Sequence, residues 1–103
     1  MCVQAKGILI MTKQYYECHV IMEGDPKVIR PIVEDYSWKF SCIDDDPDLG
    51  EGIKCYATHQ FNARMGVDTV RDVLRNVSHY FKREGIKVLR NKVELVVYDE
   101  RVV

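Results

Sequence analysis

Four aspartates and a glutamate fall within Asp44-Asp45-Asp46-Pro47-Asp48-Leu49-Gly50-Glu51-Gly52, and alternating acids in a loop can offer oxygen ligands to a hard cation. The twelve-residue calcium loop does not fit them. Counted from Asp44, position six is Leu49 where glycine must turn the chain, and position twelve is Cys55 where a bidentate glutamate belongs. The acids read instead as the solvated loop of a long hairpin, whose charge guards against edge aggregation, or as a contact loop for a basic protein. Asp44, Asp45, Asp46 and Asp48 would make that contact. Thiols and imidazoles offer a second chemistry, through Cys18-His19 and through Cys55 with His59. Residues four apart in a strand lie about 13 Å apart, whereas both ligands of one zinc ion sit within about 2.3 Å of it. Neighbours such as Cys18 and His19 point to opposite faces of a strand. The cysteines therefore read as small apolar core residues, and no metal or cofactor is expected.

Nucleophilic and phosphate chemistry find no motif: there is no glycine-rich phosphate loop, no G-x-S-x-G elbow and no interpretable Cys-His pair. No catalytic residue is assigned. Histidines on two strands, in His19-Val20-Ile21 and His59-Gln60-Phe61, resemble the paired His-x-Thr or His-x-Ser motifs of the 2H phosphoesterases, which implies an alternative reading as a phosphodiesterase-like enzyme. Both motifs lack the hydroxyl. His19 also opposes the Cys18-Val20-Met22 parity while His59 shares that of Cys55, Ala57 and Phe61, so only a bulge would bring the two rings together. His59 reads more simply as a half-buried strand-end residue, and His79 as a surface residue of a helix.

The elements that position these groups follow from periodicity. Tyr15 to Glu23 alternates, with Tyr16, Cys18, Val20 and Met22 on one side, and predicts a half-buried strand. Gly24-Asp25-Pro26 supplies a turn, a helix N-cap and a proline at the first helical position. Val28, Ile29, Ile32, Val33 and Tyr36 then follow at helical spacing, with Pro31 predicting a helix that is short, bent or late in starting. Alternation through Trp38, Phe40 and Cys42, and again through Ile53, Cys55, Ala57 and Phe61, predicts two strands joined by the acidic loop. Val67, Val70, Val73, Leu74, Val77, Tyr80 and Phe81 form the stripe of a second helix, and Gly85 stands at its C-terminal cap. Val93, Leu95 and Val97 predict a last strand, with Ile86, Val88 and Leu89 set apart as a short one by the polar Arg90-Asn91-Lys92 corner. The fold class is α+β: a ferredoxin-like β-α-β-β-α-β sandwich, with an antiparallel sheet in order 4-1-3-2 and two helices on one face. A roll with an added N-terminal strand differs only at an edge.

The 103 residues, 47% apolar and 30% charged, suffice for one compact domain. Fifteen basic against sixteen acidic residues give a net charge of −1, which removes the global field expected of a nucleic-acid binder. No run approaches the roughly 18 apolar residues of a membrane span, so a soluble globular class is expected. Four scattered cysteines without C-x-x-C suit a reducing cytoplasm. The apolar run Ile8 to Met11 is too short for an export signal. Residues 1–12 read as an N-terminal extension or edge segment, with Met11 as an alternative natural start, and 13–103 as a single domain.

One sheet face should remain free of helices. Parity puts on it Glu17, His19, Ile21 and Glu23, then Lys39, Ser41 and Ile43, then Lys54, Tyr56, Thr58 and Gln60, then Lys92, Glu94, Val96 and Tyr98. Base stacking would rest on Tyr56 and His19 alone, and the lysines are offset by glutamates, so nucleic acid is not the expected partner. A mixed face with apolar residues among charges suits a protein contact. Ile21, Tyr56, Tyr98 and His19 are the candidate binding residues, beside the acidic loop. Tyr15-Tyr16-Glu17-Cys18-His19-Val20, Trp38-Lys39-Phe40-Ser41 and Lys54-Cys55-Tyr56-Ala57-Thr58 resemble small uncharacterised proteins of bacteriophages and bacteria. That resemblance implies a cytoplasmic accessory protein occupying a surface on a host protein. The sequence thus reads as a non-enzymatic protein-interaction module whose partner is a second copy in a homodimer, another protein, or both. A small-ligand or nucleotide-binding domain is the other alternative.

Overall fold

The structure, a computed structural model, describes residues 9–44 and 52–102, with side chains from 14 to 97 within those ranges. In chain order the elements are β1 (Leu9–Glu23), α1 (Pro26–Asp35), β2 (Lys39–Asp44), β3 (Ile53–Asn62), α2 (Val67–Arg83) and β4 (Lys87–Val102), with a 3-10 turn at Ala63–Met65 before α2. The strands form one antiparallel sheet in the order β2-β3-β1-β4, the expected order read from its other edge. The architecture is α+β, with both helices on one side of the sheet. The core lies between them: Cys18, Val20 and Met22 of β1 and Cys55 and Ala57 of β3 pack with Ile29 and Val33 of α1 and Val70, Leu74, Val77 and Phe81 of α2.

A local signal starts α1, and local signals end both helices. Asp25 caps α1, its carboxylate accepting from the Lys27 N–H at 2.9 Å, and Pro26 opens the helix. Pro31 does not delay or break it: Pro31 and Lys27 are both exposed, so the Lys27 carbonyl that loses its helical partner is solvated instead. At the end of α2 the Ile86 N–H donates to the Phe81 carbonyl and the Gly85 N–H to that of Lys82, with Gly85 at φ 85°. The end of α1 has the same pair, from Trp38 to Val33 and from Ser37 to Glu34, but the left-handed position is Ser37 at φ 68°.

The strands depart from expectation in length. β1 begins at Leu9, and its residues Leu9 to Gln14 pair with β4 alone, because the β3 ladder ends at Tyr15–Asn62. β4 is continuous where a polar corner was expected. Arg90, Asn91 and Lys92 pair with Ile21, Val20 and His19, and the register skips only Leu89, at a bulge opposite Ile21 and Met22. A backbone ladder supplied by a neighbouring strand overrides the weak strand preference of three polar residues. Trp38 lies before β2 and is buried against the core. Among the described residues no helix is long and apolar enough to cross a membrane.

Candidate functional site

The helix-free face is a lattice of side chains set by register. One row runs Lys39, Thr58, His19, Lys92 across β2, β3, β1 and β4; the next towards the start of β1 runs Gln60, Glu17, Glu94. On the other side of the histidine row comes Ser41, Tyr56, Ile21, Arg90. A groove of about 550 Å³ crosses this face, with Glu17, His19, Lys39, Ser41, Thr58 and Gln60 in its lining.

His19 is the centre of the groove's polar chemistry. Its Nδ1 lies 2.9 Å from the Thr58 hydroxyl, its Nε2 is 3.1 Å from a Glu17 carboxylate oxygen and 3.6 Å from one of Glu94, and its ring meets Tyr56 edge to face. Thr58 can donate to or accept from Nδ1, so the hydroxyl serves either ring tautomer. Glu17 and Glu94 are direct cross-strand partners, an arrangement of like charges that destabilises a sheet unless cations offset it. Lys92 lies 3.6 Å from the same Glu94 oxygen that His19 approaches. Among the described residues, this one imidazole nitrogen and two carboxylate oxygens, all within 4.8 Å of one another, are a set that could hold a metal ion. Sequence parity places Glu17, His19 and Glu94 on one face. The missing signal was the register that sets Glu94 opposite Glu17, which no local spacing reveals.

The proposed binding residues are placed unevenly. Ile21 and Tyr56 are only 3% and 8% exposed, which corrects the expectation that both stand out as an apolar patch. Lys54, in the row beyond, is buried at 3% and lies 3.9 Å from Glu23, which also meets Lys87. Parity decides which side of the sheet a residue faces, but what covers that side varies along the strand. Asp44 is exposed at the end of β2, whereas Asp45, Asp46 and Asp48 lie outside the described residues, as does the side chain of Tyr98. His19 is half-buried and paired as described.

His59 also borders the groove, yet its ring stacks on Trp38 at 5.2 Å and meets Phe61 at 4.8 Å, on the helix side. Thr58 pairs with His19 and His59 with Cys18, so the two imidazoles belong to opposite faces and the geometry gives no support to a paired-histidine enzyme. The thiols offer no better nucleophile. Burial, with a smaller contribution from Glu17, pushes Cys18 up to about 11, and burial foremost also raises Cys55, so neither is a thiolate at neutral pH. Cys42, the direct cross-strand partner of Cys55, is exposed, and Cys18, Cys42 and Cys55 are free thiols.

Comparison with protein-family models, with curated proteins and with solved structures gave no match.

Proposed function

We propose that the chain is a non-enzymatic protein-interaction module, built on a ferredoxin-like arrangement, that receives an extended segment of another protein along β2 and the adjoining groove. The β-α-β-β-α-β order and the strand order support the ferredoxin-like assignment. One observation carries the binding reading: β2 is an edge strand of six residues, and its groove-side row of Lys39, Ser41 and Ile43 is exposed. An added strand would satisfy the outer backbone edge of β2 and lay alternate side chains into the groove. Lys39 has no carboxylate partner among the described residues and would favour an acidic side chain opposite it. A small-molecule reading is less well supported, because such sites enclose their ligand in apolar walls and this groove is open and lined by polar residues. The reading of the partner as a host protein rests on the sequence resemblance alone, and no family model or curated protein matches the chain.

For a second copy of the chain, the burial of Ile21 and Tyr56 moves the proposed contact from the open face to an edge strand. Leu95 and Val97 are half exposed on β4, the other edge of the sheet.

The deciding experiment is affinity capture with the parent, with Ser41→Pro and with Lys39→Glu, read by mass spectrometry. Ser41→Pro removes a backbone N–H from the edge strand, Lys39→Glu reverses the charge, and Arg75→Glu on α2 serves as control. A stoichiometric partner retained by the parent and the control and lost from both β2 variants is the expected result. Equal retention by all four would exclude the β2 edge.

A further inference from the structure

We propose that Glu17, His19 and Glu94 form a binding site for one divalent first-row transition-metal ion, with Zn²⁺ as its simplest occupant. The proposal goes beyond the protein-contact reading and stands without it.

Donor spacing is the first argument. Metal–ligand bonds of about 2.0–2.2 Å set neighbouring donors about 3.0–3.6 Å apart around a tetrahedral or octahedral ion. The His19 Nε2 atom lies 3.1 Å from the Glu17 oxygen and 3.6 Å from the Glu94 oxygen, and the three donors fall within 4.8 Å of one another. Little movement is needed to place an ion between them. The donors also come from rigid elements: two residues apart on central strand β1, and directly across the ladder on β4.

The groups behind the ligands supply the second argument. A metal-bound imidazole needs its lone pair on the metal side and its proton on the other nitrogen, where an acceptor holds the ring in place. With an ion at Nε2, the ring proton sits on Nδ1 and donates to the Thr58 hydroxyl, 2.9 Å away. The ring is held further by its edge-to-face contact with the buried Tyr56. Charge is the third argument. Two carboxylates meet on directly paired residues, with the Lys92 ammonium 3.6 Å from the same Glu94 oxygen as the flanking cation, and an ion between them would turn the repulsive pair into a ligand pair.

Ligand type selects the cation. One imidazole with two carboxylates suits zinc, iron, cobalt or nickel better than magnesium or calcium, which prefer oxygen donors throughout. Three protein donors on an exposed face leave at least one coordination position to water.

The test uses the full chain, stripped with a chelator, titrated with Zn²⁺ by calorimetry and with Co²⁺ by visible absorption. One equivalent is expected to bind the parent. His19→Ala should abolish this binding. Glu94→Gln, at an exposed position that leaves folding intact, should weaken it at least tenfold, and Thr58→Val about tenfold through the freed ring. His79→Ala and Cys42→Ser should bind as the parent does. No stoichiometric binding at about 100 μM metal would overturn the proposal, since this is far above the dissociation constants expected of built sites. So would binding that survives both His19→Ala and Glu94→Gln, or a cobalt–thiolate absorption band that Cys42→Ser removes. If His19→Ala does not fold by circular dichroism, Glu94→Gln decides the matter. Partner capture is read separately, so failure of either proposal leaves the other standing.

Discussion

On the helix side of β1, Cys18, Val20 and Met22 are wholly buried; on the opposite side Glu17, His19 and Glu23 stay in contact with water while Ile21, between the last two, is 3% exposed. The same difference appears in reverse on β4, where Val93 packs against the core but Leu95 and Val97, of the same parity, are 52% and 55% exposed. Their register partners are Tyr16 and Gln14, at the end of the sheet where β3 stops. Strand alternation assigns a side, and the extent of the cover over that side assigns burial. One face therefore stores apolar burial where the helices cover it, while the other confines its buried residues to the stretch around Ile21, Lys54 and Tyr56 and keeps a polar cluster around His19.

The largest effect that can break this contrast is at Ile21. Were the open face uniformly solvated, Ile21→Ala would shift stability by no more than about 0.5 kcal/mol. Its burial predicts a loss of about 2–4 kcal/mol in urea unfolding, comparable with a helix-side core truncation. Leu95→Ala, on the nominally covered side, should cost less than about 1 kcal/mol. A larger cost at Leu95 than at Ile21 would show that parity, not cover, governs burial.

A second measurement sharpens the contrast through Cys18, which neighbours His19 but faces the core. Its thiol rises from 9.0 to about 11 by burial and, to a lesser degree, the Glu17 charge. In the unfolded chain the thiol ionises near its ordinary value, whereas in the folded chain it stays protonated. Between those values the unfolded state binds fewer protons, and stability falls as pH rises. Cys18→Ala should remove up to about 1.4 kcal/mol per pH unit of that slope, the limit for one group. Urea midpoints of parent and variant across the alkaline range provide the check, and parallel curves would mean that the thiol ionises alike in both states.

The smallest effect lies where the two faces meet, at Ser37, which ends α1 and borders the groove. Glycine adopts φ 68° without the Cβ penalty that serine bears there. Ser37→Gly should raise stability by up to about 1 kcal/mol, offset in part by the added freedom of the unfolded chain. A lower melting temperature would show that the serine side chain contributes more than its backbone costs.

Much of the fold is legible in short stretches of sequence. Asp25-Pro26 marks the start of α1, the valine and leucine stripe marks α2, and Gly85 marks its end, because caps and helical periodicity depend on residues within a turn or two of each other. Alternation likewise separates Cys18, Val20 and Met22 from Glu17 and His19. The candidate site is less legible. Its residues are visible one strand at a time, but the pairing of Glu17 with Glu94 and of His19 with Thr58 joins positions 77 and 39 residues apart.

Local sequence thus determined the identity, order and facing of the elements, since propensity, capping and period are properties of neighbours along the chain. The tertiary structure decided three further things: that β1 and β4 run on beyond β3, that Ile21 and Tyr56 are buried on a face without helices, and that an imidazole and two carboxylates converge. Each depends on cross-strand register and on what packs over the sheet, and register arises from contacts between residues far apart in the chain, which no pattern within a single strand encodes.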